Sequence, residues 1–245
     1  MKRTLAFSKR CTKELLRDPL SLIFGVGLPL VLLFLMNALR RSTGQDIFPI
    51  ADFAPATAVF AQTFLSMFSG LLIAQDRGSA YLARLYASPL TAKDFILGYS
   101  LPLLPLALAQ GAICLGASLM LGLSFSINLL WALLCMIPVS VLFIALGLLL
   151  GCLLKETQVG GIGSALVQVM AFTSGMWFDI RLIGGAFFAI SRCLPFMYSV
   201  DLIRNAMSGS FSALPLNLAV VCAWSLALLA LAVFVFRRRM KSDNG

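Results

Sequence analysis

Residues 95–154 read FILGYSLPLLPLALAQGAICLGASLMLGLSFSINLLWALLCMIPVSVLFIALGLLLGCLL, a stretch of 60 residues without a charged side chain. A helix needs about 20 apolar residues to cross the hydrocarbon core of a bilayer, so this stretch is too long for one span. Ser124, Ser126 and Asn128 interrupt it near its middle. We therefore predict a tight hairpin of two membrane helices, over about residues 95–122 and 129–154.

Four further uncharged stretches have the length of one span, at about residues 20–39, 53–75, 157–178 and 213–236. Charged residues separate them, as expected where the chain leaves the hydrocarbon core. The sequence therefore predicts an all-α polytopic membrane protein with six transmembrane helices. Its single transmembrane domain covers residues 19–241, after an N-terminal segment at 1–18 and before a short tail at 242–245.

The composition excludes a soluble protein and weakens most enzyme hypotheses. Apolar residues make up 60% of the chain and charged residues 12%, with a mean hydropathy of +0.95, whereas about a quarter of the residues of a soluble domain are charged. The chain has no histidine, and its glutamates are Glu14 and Glu156. Because metal sites and acid–base catalysis commonly use these residue types, we predict no catalytic residue, no metal site and no cofactor on this chain.

The distribution of lysine and arginine predicts the orientation in the membrane. Loops rich in these residues stay on the cytoplasmic side. If both termini are cytoplasmic, fourteen of the 19 lysines and arginines lie on that side. We predict a multi-pass protein of the plasma (inner) membrane, in contact with lipid. The net charge of +9 then reflects topology, and nucleic acid is not expected as a partner.

The first eighteen residues predict an amphipathic helix that lies at the membrane interface and ends at Asp18-Pro19. On a helical wheel the apolar and small polar side chains gather opposite the basic ones, with Phe7 outside the apolar arc. The alternative interpretation is a basic topology signal without a further role. The basic arc consists of Lys2, Arg3, Lys9, Arg10, Lys13 and Arg17.

The chain shows no energy source of its own. No stretch matches the phosphate-binding pattern G-x-x-x-x-G-K-[ST], and the six predicted spans contain no ionisable residue that could carry a coupling ion. If the protein is a pump, its motor is on another chain. An ion-coupled or passive membrane transporter and a non-catalytic membrane scaffold remain alternatives.

The stretch between the second and third spans, residues 75–90, reads QDRGSAYLARLYASPL. A helix from about Ser79 to Ala87 would present tyrosine, leucine and arginine side chains on a short amphipathic surface, as at a docking site. Asp76 lies near its start, where the helix dipole favours a carboxylate, and Pro89 ends it. The alternative is an ordinary solvated connector.

This stretch and its continuation, residues 93–99 (KDFILGY), resemble the first cytoplasmic loop of ABC-2 type exporter permeases. The resemblance also covers the basic N-terminal helix, six spans and cytoplasmic termini. It implies a second permease chain, in a homodimer or a heterodimer, and a pair of ABC ATP-binding subunits that hold the ATP and Mg²⁺. It assigns ATPase coupling to Asp76, Arg77, Gly78, Tyr81, Leu82, Arg84, Leu85, Ser88 and Pro89.

The resemblance also implies a substrate path between two permease chains, to which the second and fifth spans contribute. The substrate would be lipophilic or amphipathic: a drug, an antimicrobial peptide or a lipid-like molecule. Polar side chains in these spans could equally join helices within one chain, and that alternative stays open. The candidate path residues are Gln62, Ser66, Gln168, Met170 and Phe172.

The segment between the fifth and sixth spans contains an apolar run, residues 183–190, that is too short to cross a bilayer. Glycines at 184 and 185 and Pro195 interrupt its surroundings. We predict that this segment enters the outer leaflet as short helices.

Overall fold

The computed structural model describes residues 2–43, 49–78 and 92–242, and over these ranges every regular element is a helix. The predicted all-α fold is confirmed. The hairpin predicted from residues 95–154 is present: its first helix ends at Met120 and its second begins at Asn128. The helices are α1 (Lys2–Arg17), α2 (Pro19–Thr43), α3 (Ile50–Gly78), α4 (Ala92–Met120), α5 (Asn128–Leu153), α6 (Glu156–Thr173), α7 (Ile180–Ile183), α8 (Gly185–Cys193), α9 (Pro195–Ser208) and α10 (Leu214–Ser242), with a 3₁₀ turn at Phe211–Ala213.

Five helices of the described chain are long and apolar enough to cross a membrane: α2, α3, α4, α5 and α10. The pair α8 and α9, bent by 81°, brings the number to six if it forms one broken span. The predicted fifth span corresponds to α6, which ends at Thr173 rather than near residue 178 and is not among the five. Its glycines and glutamines lower its mean hydropathy.

Contacts between helix ends define two sides of the molecule. On one side, α1 packs against the end of α3 and the start of α4, close to the connection between α5 and α6. We call this the loop side, because residues 79–91 connect α3 to α4 there. On the opposite side, which we call the far side, Asn128 at the start of α5 donates to the carbonyl of Met207 in α9.

Helix α3 lies at the centre of the bundle. In its most apolar window 72% of the residues are buried, against 22% for α2 and 17% for α10. Its closest neighbour is α5, and the two helices approach tightly at Gly147. A Cβ atom on Gly147 would overlap Ser69 Oγ and the carbonyl oxygen of Ser66, so glycine is needed here for close helix packing.

This contact predicts that Gly147→Ala destabilises the chain, because neither α3 nor its backbone carbonyl can move away cheaply. Overpacking of this kind costs about 1–3 kcal/mol. The matched control is Gly160→Ala in α6, where an added Cβ meets nothing within 4 Å. Thermal unfolding in detergent should show a lower midpoint for Gly147→Ala than for Gly160→Ala, and equal midpoints would contradict the packing.

Candidate functional site

The segment predicted to couple to an ATPase begins in the last turn of α3 and continues into residues 79–91. Of this segment, the structure describes only the turn of α3. It contains Asp76, Arg77 and Gly78. The remaining predicted coupling residues lie outside the described residues, so their assignment stays a prediction. These are Tyr81, Leu82, Arg84, Leu85, Ser88 and Pro89.

Asp76 is buried, with 6% of its surface exposed. Its carboxylate accepts hydrogen bonds from both terminal nitrogens of Arg10, at 3.0 and 2.8 Å, and from the hydroxyl of Tyr99 at 2.6 Å. Such a bidentate, charge-assisted contact is among the stronger polar interactions in proteins. Asp76 thereby connects α3 to α1 and to α4.

Asp76 lies in the last turn of α3, which continues to Gly78 instead of ending near residue 75. The predicted loop helix after it lies outside the described residues, so that part of the prediction stays untested. A carboxylate is disfavoured at the C-terminal end of a helix, where the dipole is negative. The guanidinium of Arg10 compensates this cost. The buried carboxylate of Asp76 therefore needs α1 to stay packed against α3.

Arg77 connects the same turn to the end of α5. Its Nη1 donates to the carbonyls of Gly151 at 2.6 Å, Cys152 at 2.7 Å and Leu154 at 3.3 Å. The last carbonyls of a helix have no partner within the helix and carry its negative dipole, so a guanidinium placed there stabilises the helix end.

Gln75 extends these contacts to α6, since its Nε2 donates to Oε1 of Glu156 at 3.1 Å. The last turn of α3 thus contacts α1, α4, α5 and α6 through three consecutive side chains. We call this set the loop-side hub and define it by Gln75, Asp76 and Arg77 with their side-chain partners Arg10, Tyr99 and Glu156.

Helix α1 contributes a further acidic residue beside the hub. Arg10 contacts Glu14 at 2.5 Å, one turn along the helix. Burial, and then the nearby Asp76 carboxylate, raise the pKa of Glu14, while Arg10 opposes this rise. Burial likewise raises the pKa of the Cys11 thiol to about 12. Cys11 is therefore a packed thiol with little nucleophilic character at neutral pH.

Phe7 anchors α1 to α4. It is buried, and its ring centroid lies 5.2 Å from that of Phe95 and 4.9 Å from that of Tyr99. The helical wheel puts Phe7 outside the apolar arc. In the structure the Phe7 side chain is nevertheless buried, because this side of α1 packs against α4. Gly98 leaves the space for the ring, because a Cβ there would overlap it.

The candidate path residues divide into two groups. Gln62 is fully buried; it donates to the carbonyl of Ala107 at 3.0 Å and accepts from Ser140 at 3.4 Å, so it joins α3 to α4 and α5. Ser66 and Met170 are also fully buried. Gln168 and Phe172 instead lie on the exposed face of α6.

Sequence reasoning did not identify Arg10, Tyr99, Gln75 and Glu156 as partners in one site. Arg10 stood out only as one of six basic residues on a wheel, and nothing in its spacing selects it over Lys9 or Lys13. The signal that could have found it is the carboxylate of Asp76 at the end of an apolar helix, which requires a basic partner.

The fold and the loop-side hub together define a multi-pass α-helical membrane protein in which the last turn of α3 connects the ends of several helices. The chain belongs to the ABC-2 type transporter family, whose model matches residues 2–208. It is therefore a membrane-spanning subunit of an ABC transporter.

Two relatives are similar along most of their length. Nodulation protein J of Rhizobium meliloti (strain 1021) is 26% identical over 227 residues, which cover 92% of this chain and 85% of the relative. Nodulation protein J of Rhizobium leguminosarum bv. viciae is 27% identical over 228 residues, covering 92% and 86%.

Proposed function

We propose that this chain is the permease subunit of an ATP-driven exporter, in which residues 79–91 dock a separate ATP-binding subunit that holds ATP and Mg²⁺. The observation that supports this proposal is the loop-side hub. Three side chains directly before the docking loop contact four other helices. A displacement of the loop would therefore move several helix ends together.

The experiment that tests this function is purification of the tagged chain from mild detergent extracts of its native membranes. We expect an ATP-binding cassette subunit in an amount equal to the permease, identified by mass spectrometry. An intact permease that purifies without such a subunit, and transports its substrate on an ion gradient, would favour the ion-coupled alternative.

The proposal includes an orientation in which the loop side and both termini face the cytoplasm of the plasma (inner) membrane. The positive-inside distribution of lysine and arginine supports it. In a background without the six native cysteines, a cysteine at Gln45 or Ser210 should react with an impermeant thiol reagent added outside intact cells. A cysteine at Ser79 should not react, and the reverse pattern would contradict the orientation.

A second permease chain would cover the exposed face of α6. Whereas the exposed faces of α2 and α10 are mostly apolar, that of α6 carries Gln168. An amide that faces hydrocarbon without a partner is costly, so protein or a hydrated path is a better neighbour than lipid. We infer that Gln168 and Phe172 face the substrate path between two permease chains, along which an amphipathic or lipophilic molecule moves outward.

The two glutamines should therefore respond differently to replacement by leucine. Gln62→Leu removes both hydrogen bonds of a buried amide and should lower stability by about 1–3 kcal/mol, measured by thermal unfolding in detergent. Gln168→Leu should change stability by less than about 0.5 kcal/mol and alter substrate-stimulated ATP hydrolysis instead. A loss of stability in Gln168→Leu together with unchanged stability and altered ATP hydrolysis in Gln62→Leu would contradict this arrangement.

A further inference from the structure

A cavity of about 600 Å³ opens on the far side of the chain. Its walls come from the start of α3, the turn between α4 and α5, residues 174–182 and the inner face of α9. Its volume is within the range of small-molecule binding sites, which is about 300–1,000 Å³. It lies at the end of the molecule opposite the loop-side hub.

Arg204 holds two walls of this cavity together. Its Nε donates to the carbonyl of Asp52 at 3.1 Å and its Nη2 donates to the carbonyl of Gly175 at 2.9 Å. Asp201 lies 3.8 Å from Arg204 and 3.0 Å from Arg181. Both arginines of the lining, Arg181 and Arg204, thus have partners within the protein. The bonds of Arg204 also hold the first turn of α3 beside the turn that follows α6.

Two carboxylates of the lining keep acceptor capacity. The side chain of Asp52 is exposed and, within the described ranges, has no hydrogen-bond or ion-pair partner. Asp179 uses one oxygen to accept from the backbone N–H of Arg181, where it caps α7. The lining contains three aspartates and two arginines, so it carries an excess of negative charge.

The remaining lining suits the apolar part of a ligand. Trp177 and Phe178 lie on the wall that carries Asp179, and Leu123, Leu129 and Met197 contribute aliphatic surface. A carboxylate beside an aromatic ring is the arrangement that binds organic ammonium groups, because the ring face attracts the cation that the carboxylate neutralises.

We propose that the far-side cavity binds the positively charged nitrogen headgroup of an amphipathic molecule, with Asp52 and Asp179 as counter-charges and Trp177 as the aromatic wall. This site goes beyond the proposed transport function, and it needs neither ATP nor a partner subunit. A binding measurement on the full chain therefore tests it independently of the loop-side hub.

The test is calorimetric titration of the full-length chain in micelles of a neutral maltoside detergent, corrected with empty micelles. Three probes share one alkyl chain: hexyltrimethylammonium, hexyl glucoside and hexyl sulfate. We expect the ammonium probe to bind about tenfold more tightly than the other two. Competition by dihexanoyl phosphatidylethanolamine would assign the site to a lipid headgroup, and absence of competition would assign it to an amine that is not a lipid.

The variant Asp52→Asn with Asp179→Asn should remove most of this preference, and asparagine at 179 preserves the helix cap. Arg192→Gln is the control, because Arg192 is an exposed charged residue outside the lining. If only diffuse surface charge mattered, this control would strengthen ammonium binding by about half as much, in free energy, as the double variant weakens it, because it changes the net charge by one unit instead of two. Equal affinity for the three probes, or an unchanged preference in the double variant, would overturn the proposal.

Discussion

Arg10→Glu is expected to abolish coupling between ATP hydrolysis and transport. The change removes the guanidinium that neutralises the buried Asp76 and places a carboxylate beside Asp76 and Glu14. Loss of one partner from a buried ion pair typically costs about 3–5 kcal/mol. We expect α1 to separate from α3 and α4. The measurement is substrate-stimulated ATP hydrolysis by the reconstituted complex.

Lys13→Glu is the matched control, because it makes the same change of charge on an exposed position of the same helix. It should leave stimulated hydrolysis within about twofold of wild type, since isolated surface charges contribute about 0–1 kcal/mol. The exchange Arg10→Asp with Asp76→Arg should restore part of the activity. Equal effects of Arg10→Glu and Lys13→Glu would show that the loss comes from net charge and not from the hub.

The second large effect is expected from alanine at Tyr81, Leu82, Arg84 and Leu85 together. Aromatic and arginine residues at the centre of an interface often contribute about 2 kcal/mol or more each. Because about 1.4 kcal/mol corresponds to tenfold in affinity, the quadruple variant should bind the ATP-binding subunit more than a hundredfold less tightly. The measurement is the dissociation constant of the subunit from membranes that contain the permease.

Lys241→Ala, near the C-terminus, should leave this dissociation constant unchanged. Arg84→Glu should weaken binding more than Arg84→Ala if the partner surface is acidic, because it replaces attraction with repulsion. Full binding and full transport by the quadruple variant would mean that residues 79–91 do not couple the two subunits.

The sequence predicts well what depends on local composition. An uncharged stretch interrupted by Ser124, Ser126 and Asn128 is sufficient to predict α4, the turn and α5, because the length of a membrane helix is fixed by the bilayer. The apolar run at 183–190 likewise predicts short helices. In the structure α7 ends at Ile183 and α8 begins at Gly185, and Gly184 and Gly185 both have positive φ.

The hub and the cavity depend on contacts between distant segments, which periodicity does not encode. Arg10 and Asp76 are 66 residues apart, and their pairing follows from how α1 packs rather than from any local pattern. Gln62 shows the same limit. Its residue type and position allow either a path residue or a link between helices, and its hydrogen bonds to α4 and α5, which favour the link, are not visible in the sequence.

The central claim is that the loop following the hub touches the ATP-binding subunit. The most direct measurement is photo-crosslinking in intact cells with benzoylphenylalanine at position 81, compared with the same group at Phe211 on the far side. The account predicts an adduct with an ATP-binding cassette subunit from position 81 and none from position 211. An adduct with that subunit from position 211, or only lipid and unrelated proteins from position 81, would contradict it.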